Sequence, residues 1–277
     1  QRQMCIRDRG YLYWEDINMN DSILRVENIS MCFGGVVAVD NVSFEVKKRT
    51  IHSLIGPNGA GKTTTISMIN GTLPVPSGKI YFDGVDLTGK HTHEFTRMGM
   101  GRTFQNIKLF DTMTVEENLL LGCNYLYEND GFLKFLVTPK RQMNLERTAR
   151  EAVAECLNQF NLYACKDELV GSLPYGHKKL VELARAMAGN PKMIILDEPA
   201  AGLNPSERQS LILNLRNIFD MGVDLLIIEH NMDVVMKLSD RITVISFGRK
   251  IAEGTPEEIK NNDDVISAYL GARFKKE

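Results

Sequence analysis

Nine consecutive residues, Gly56-Pro57-Asn58-Gly59-Ala60-Gly61-Lys62-Thr63-Thr64, carry the strongest chemical signal in the chain. Their spacing is G-x-x-x-x-G-K-[ST], the pattern of a phosphate-binding loop. Glycines let such a backbone curl until several N–H groups face one anion, and a helix N-terminus adds its partial positive charge. Lys62 is then placed to reach the β- and γ-phosphates of a nucleotide, and the Thr63 hydroxyl to ligate Mg²⁺. The competing reading, a glycine-rich turn capping a helix, is weakened by the context: a strand-like run before the loop and a helix-like run after it.

A second constellation pairs with the first. The apolar run Met193–Leu196 leads directly into Asp197-Glu198-Pro199, which places two carboxylates at the end of a buried strand. Ligands of doubly wound sheets sit at such strand ends. Asp197 would hold Mg²⁺, directly or through water, and Glu198 would polarise an attacking water for hydrolysis of the terminal phosphate. His230 follows the run Leu225–Glu229 and could hydrogen-bond the γ-phosphate and that water. Spacing alone equally allows a polar strand cap. His52 falls in a strand and His91 and His93 in a polar loop, without the further ligands a metal site needs.

The elements that must position these groups alternate between strands and helices. Ile23–Glu27, Val42–Val46, Ile51–Ile55, Ile80–Phe82, Met193–Leu196, Leu225–Ile228 and Arg241–Ser246 read as strands, with turns at Asp83-Gly84 and Gly248. Lys62–Ile69, Thr114–Gly122, Asn144–Phe160, Lys178–Ala188 and Pro256–Leu270 read as helices, and Glu128–Gln142 as a loop. The layout is an α/β core interrupted by a mainly helical insertion at about residues 106–188.

Composition agrees with a globular chain. Of 277 residues 43% are hydrophobic and 25% charged, and 33 basic against 35 acidic residues leave a net charge of −2. That balance gives no electrostatic reason to invoke nucleic acid. Cys5, Cys32, Cys123, Cys156 and Cys165 are scattered and never spaced C-x-x-C, which argues against a disulfide framework or a zinc site. No apolar run approaches the roughly 18 to 20 residues of a membrane span, and the expected location is the cytoplasm. Residues 1–18 lack a starting Met and a clear periodicity, so we expect a non-native extension before Met19. A genuine N-terminal arm is the alternative.

In order and wording these motifs resemble the ATP-binding subunit of an ATP-binding cassette (ABC) transporter over about residues 22–271. The resemblance implies a P-loop NTPase (RecA-like) ABC ATPase core with an antiparallel β subdomain and an inserted α-helical subdomain, forming one domain over 19–271. It also implies further roles. Phe33, in Met31-Cys32-Phe33-Gly34-Gly35, would stack on adenine. Gln105, in Arg102-Thr103-Phe104-Gln105-Asn106, would sense Mg²⁺ and nucleotide and border the groove for a membrane subunit. Leu173, Tyr175, Gly176 and His177 would form the signature segment, facing the γ-phosphate bound by a second subunit. Ala201-Gly202-Leu203-Asn204 matches the D-loop, and His230 the switch histidine.

Departures matter here. Pro174, Tyr175 and His177 replace the serine, first glycine and glutamine of the common signature, so its serine contact is lost. Good helix-start chemistry, with Ser172 as cap, is the bland account of this segment. Asn204 replaces the D-loop aspartate. These forms, with Glu229-His230-Asn231-Met232, Gly254-Thr255-Pro256-Glu257-Glu258 and Ala268-Tyr269-Leu270-Gly271, are similar to the branched-chain amino acid importers. That resemblance implies ATP and Mg²⁺ as cofactors, a second cassette identical or related, integral membrane permeases, and indirectly an extracytoplasmic solute-binding protein. The chain would sit peripherally on the cytoplasmic face of the plasma membrane. An exporter cassette of lipid or lipopolysaccharide type and a soluble non-transport ABC ATPase stay open as alternatives.

Overall fold

The computed structural model describes residues 21–126 and 139–270. The readings made for residues 1–18, for 128–138 and for the tail 272–277 lie outside the described residues. In chain order the strands are β1 (Ser22–Phe33), β2 (Val36–Lys47), β3 (Ile51–Ile55), β4 (Ser77–Phe82), β5 (Val85–Asp86), β6 (Met100–Arg102), β7 (Met193–Asp197), β8 (Asp224–Ile228), β9 (Arg241–Ser246) and β10 (Arg249–Gly254). The α-helices are α1 (Lys62–Ile69), α2 (Thr92–Arg97), α3 (Val115–Gly122), α4 (Pro139–Gln159), α5 (Tyr175–Ala188), α6 (Pro205–Asp220), α7 (Met232–Leu238), α8 (Pro256–Lys260) and α9 (Asp263–Leu270). The chain divides into two compact units, residues 1–98 with 224–277, and residues 99–223.

The first unit holds an antiparallel sheet of order β2-β1-β4-β5. Its strands show the expected alternation, with Leu24 and Val26 buried between the more exposed Arg25 and Glu27. They run longer than their hydrophobic patterns suggest. Asn28 and Asn41, both at positive φ, sit at register shifts where the apolar period breaks although pairing continues. The same unit contains β3 parallel to both β8 and β9, with β10 antiparallel at the edge. Every residue of β3 and β8 is buried, as strands covered on both faces require. A core cluster joins Ile55, Ile242 and Val244 to Val235 of α7, Ile259 of α8 and Val265 of α9. Burying each such side chain contributes roughly 1.5–3 kcal/mol. Ile55 immediately precedes Gly56, so this core anchors the phosphate loop.

The second unit pairs β6 with β7 in parallel, Met100 opposite Met193, Gly101 opposite Ile194 and Arg102 opposite Ile195. Its helices include α3, which opens on a reciprocal capping box: Thr114 Oγ1 accepts the Glu117 N–H while Glu117 accepts the Thr114 N–H. Helix α5 turns Val181, Leu183, Ala184, Met187 and Ala188 inward.

Several expectations need correction. The helix expected from Lys178 begins at Tyr175, with Pro174 as N-cap. Ser172 is not the cap; its hydroxyl donates to the Leu169 carbonyl within a 3₁₀ turn. A proline at this position has a φ of −57°, compatible with a cap, and its carbonyl accepts the first helical bond from Lys178 N–H. Helix α4 starts at Pro139 rather than Asn144, so residues 139–142 are helix and not loop. His91 and His93 belong to a helix start: His91 N-caps α2, its N–H donates to Glu94, and the two rings stack. The C-terminal helix is two helices, α8 and α9, separated at Asn261 and Asn262. Asn262 supplies the second start by accepting the Asp264 and Val265 N–H groups.

Candidate active site

The phosphate loop leaves β3 and enters α1 through Gly61, which has a φ of 98°. A Cβ on Gly61 would stand 2.3 Å from the Ala38 carbonyl oxygen of β2, and one on Gly56 would stand 2.1 Å from the Ile245 carbonyl oxygen of β9. Only glycine permits that approach. The loop is further tied down where Gly248 N–H donates to the Ala60 carbonyl and Asp40 N–H to that of Gly248. Helix α1 carries no side-chain cap and no acidic residue in its first turn. Its leading N–H groups and its dipole are therefore directed at an anion from outside the helix. Lys62 is buried, and its Nζ donates to the Gly56 and Pro57 carbonyls at 2.8 and 3.0 Å, which holds the ammonium over the loop. Asn58, Gly59 and Thr63 are exposed, Pro57 and Thr64 partly so, and Ala60 is buried.

Phe33 ends β1 opposite Val36 and is 47% exposed, an apolar ring presented to solvent. His230 follows β8. The buried Glu229 folds back to accept the N–H groups of both His230 and Asn231, each at 2.9 Å, and Asn231 caps α7. Glu229 thus orients the histidine segment, a role that sequence reading had not assigned. Tyr269 of α9 also belongs to this unit. Burial pushes that phenol up to about 12.

In the second unit, Asp197 ends β7, almost fully buried, and Glu198 follows with a φ of 48°. A non-glycine residue in the left-handed region is strained, and such strain concentrates at functional sites. Parallel pairing of β6 and β7, continued by Thr103 N–H to the Ile195 carbonyl, carries Gln105 to the same strand edge. Gln105 Nε2 donates to Glu198 Oε2 at 2.8 Å. Arg102 Nη2 donates to Asp197 Oδ2 at 3.2 Å. Burial raises the Asp197 carboxyl above its ordinary range, and Arg102 opposes that rise. Arg102, three residues before Gln105, had no assigned role, and no local pattern singles it out because β6 is too short to alternate.

The signature residues separate into two kinds. Leu173 is buried and packs inward, whereas Tyr175 and His177 are exposed at the start of α5. The Tyr175 hydroxyl donates to the Ala201 carbonyl at 3.4 Å, and its ring lies where a Cβ on Gly202 would meet it at 3.1 Å. Tyrosine therefore ties the signature to the D-loop within one chain. Asn204 caps α6, accepting the Glu207 N–H at 3.0 Å, so an amide meets a local need at this position.

The donors present suit Mg²⁺. They are hard oxygens, and among the described residues no group of three or more His, Cys, Asp or Glu side chains gathers to form a cage. Mg²⁺ is ordinarily held by one or two carboxylates together with substrate phosphates. Cys32, Cys123, Cys156 and Cys165 are free. Among the described residues no helix is long and apolar enough to cross a membrane.

Comparison with known proteins identifies the family. A family profile described as "ABC transporter" matches residues 39–201, and one described as "Branched-chain amino acid ATP-binding cassette transporter" matches residues 249–275. The chain is 43% identical over 256 residues to the high-affinity branched-chain amino acid transport ATP-binding protein BraF of Pseudomonas aeruginosa, covering 91% of this chain and 99% of that one. It is 41% identical to LivG, of the same description, from Escherichia coli K12, with the same coverage. Among solved structures it is similar to a nucleotide-free ATP-binding cassette from an ABC transporter, with a TM-score of 0.78, 37% identity, and 90% and 99% of the two chains covered. It is equally similar, at 38% identity and a TM-score of 0.78, to the ADP conformation of such a cassette.

Proposed function

The chain belongs to the ABC transporter ATP-binding family, and from that premise we propose that it hydrolyses ATP to drive uptake of branched-chain amino acids. The observation that carries the catalytic half is the Gln105–Glu198 hydrogen bond, which holds a carboxylate in one orientation at a strand end. The solute assignment is supported by the match over residues 249–275 and by the relatives named above.

The residues divide the work. Phe33 offers its exposed ring to adenine. The Gly56–Thr64 loop gives the triphosphate backbone N–H groups at the start of α1 and the Lys62 ammonium. As in the family the chain resembles, Thr63, Asp197 and Gln105 would supply oxygen donors to Mg²⁺, which when bound would neutralise phosphate charge. Glu198 accepts a proton from the attacking water, and Gln105 holds Glu198 in place. His230 donates a hydrogen bond to the γ-phosphate. From the second cassette of the dimer, identical or related, the residues matching Tyr175, Gly176 and His177 present the N-terminal N–H groups of their helix to that same phosphate. Because these are backbone donors, the Pro174, Tyr175 and His177 departures leave them available. Glycine at 176 suits close packing: a Cβ there would meet Glu207 Oε1 at 2.9 Å.

ATP held between two cassettes favours the closed dimer, and hydrolysis removes the bridge. The chain acts at the cytoplasmic face of the membrane, docked on permease subunits beside the Gln105 loop and served by an extracytoplasmic solute-binding protein. Affinity purification from gently solubilised membranes tests this reading. Two polytopic permeases and a binding protein that takes up leucine, isoleucine or valine are expected. Recovery as a soluble protein without membrane partners would overturn the transport assignment and leave the ATPase intact.

A further inference from the structure

One buried carboxylate in the second unit takes no part in the chemistry above. Glu182 lies on the inward face of α5, 3% exposed, where an apolar residue would continue the pattern of Val181, Leu183 and Ala184. Burying an ionised carboxylate is costly unless it is paired and hydrogen-bonded. Here Lys179 Nζ stands 3.8 Å away, itself buried. Glu182 Oε1 accepts the Phe104 backbone N–H at 3.3 Å. That amide belongs to the loop that carries Gln105, one residue before it. The Phe104 ring stands 4.8 Å from the Arg102 guanidinium and 5.4 Å from the Lys108 ammonium. At the far end Asn118 accepts the Phe110 N–H at 3.0 Å and donates to the Phe110 and Thr114 carbonyls.

We propose that Glu182 is a positioning residue for hydrolysis, clamping the loop at Phe104, next to Gln105, so that Gln105 meets Glu198. The clamp rests on the role given to Gln105 above. It runs from the signature helix to the glutamine loop through a single side chain, so any shift of α5 is felt at the amide that orients Glu198. The carboxylate holds the Phe104 amide and is itself paired with the buried Lys179.

The test is steady-state ATP hydrolysis by the purified full chain with Mg²⁺, comparing Glu182→Ala, Glu182→Gln, Gln105→Ala and the double variant Glu182→Ala/Gln105→Ala. A misplacement near 1 Å costs on the order of 10- to 100-fold, so Glu182→Ala should lower kcat about tenfold while KM for ATP stays within about twofold. Glu182→Gln, which keeps an acceptor oxygen, should recover most of kcat. The double variant should turn over as slowly as Gln105→Ala and no more slowly, because the clamp acts through that residue. If Glu182→Ala does not fold, Glu182→Asp withdraws the acceptor by one carbon–carbon bond and should give an intermediate loss of kcat. Reduced turnover in Gln105→Ala beside wild-type kcat in the folded Glu182 variants, or multiplying effects in the double variant, would overturn the positioning role alone. Wild-type turnover in Gln105→Ala would overturn the reading of the loop, and the clamp with it.

Discussion

Gln105 and Glu198 are 93 residues apart in the chain, yet the amide of one donates to the carboxylate of the other at 2.8 Å. The pairing follows from two parallel strands in register, β6 and β7, that release their next residues at the same edge. Glu198 occupies a left-handed backbone conformation there, so its orientation depends on neighbours rather than on local preference.

Replacing that carboxylate tests its role. Glu198→Gln keeps shape and volume and removes the proton acceptor, so turnover should fall at least about 100-fold, while ATP binding persists. Phosphate release and a fluorescent-nucleotide titration measure the two separately. Retention of most turnover would exclude Glu198 as the base.

Arg102 pairs with Asp197 where both side chains are largely out of water, 15% and 9% exposed. Arg102→Met leaves a buried carboxylate without its cation and should cost about 2–3 kcal/mol, at or below the low end for a buried pair because some water reaches both. Urea unfolding provides the number. A change below about 0.5 kcal/mol would show that solvent already satisfies Asp197.

His52 gives the protein an acid-sensitive component. Burial, more than the nearby charges, lowers its pKa from 6.5 to about 4, with Glu253 opposing and Arg241 assisting. Its Nε2 meets Thr243 Oγ1 at 2.9 Å, and among the described residues Nδ1 has no hydrogen-bond partner. Between pH 6.5 and about 4 the unfolded chain binds this proton and the folded chain does not. The stabilisation is complete above pH 6.5 and is lost as pH falls through that window, on the order of 3 kcal/mol in all. Stability measured across this range should decline less steeply in His52→Met than in the wild type. Parallel slopes would assign the acid sensitivity to other groups.

Gly61→Ala should be severe. The new Cβ would meet the Ala38 carbonyl at 2.3 Å, in a backbone conformation with a φ of 98° that alanine adopts only under strain. A loss of at least about 2 kcal/mol is expected, together with loss of nucleotide binding. Thermal unfolding and binding assays on the purified variant decide it, and near-normal values for both would mean that the hairpin gives way.

Features held within a few neighbouring residues were legible from the amino-acid order. The phosphate loop, the carboxylates closing β7, the limits of β3, α1 and β9, and the histidine after β8 are local patterns of glycine spacing, apolar runs and turns, and the tertiary structure places them as read. Elements without a local pattern were missed. Strand β6 is only Met100-Gly101-Arg102, too short to alternate, and it becomes a strand because β7 lies beside it. Helix α5 was read three residues short because its N-cap is a proline, a poor signal of a helix start, while Ser172 imitated one. The long-range relations could not be read at all. That Gln105 touches Glu198, Arg102 touches Asp197 and Glu182 binds the Phe104 amide depends on strand register and helix docking. Those are set by the burial of apolar faces summed over the whole chain, not by the residues that finally meet.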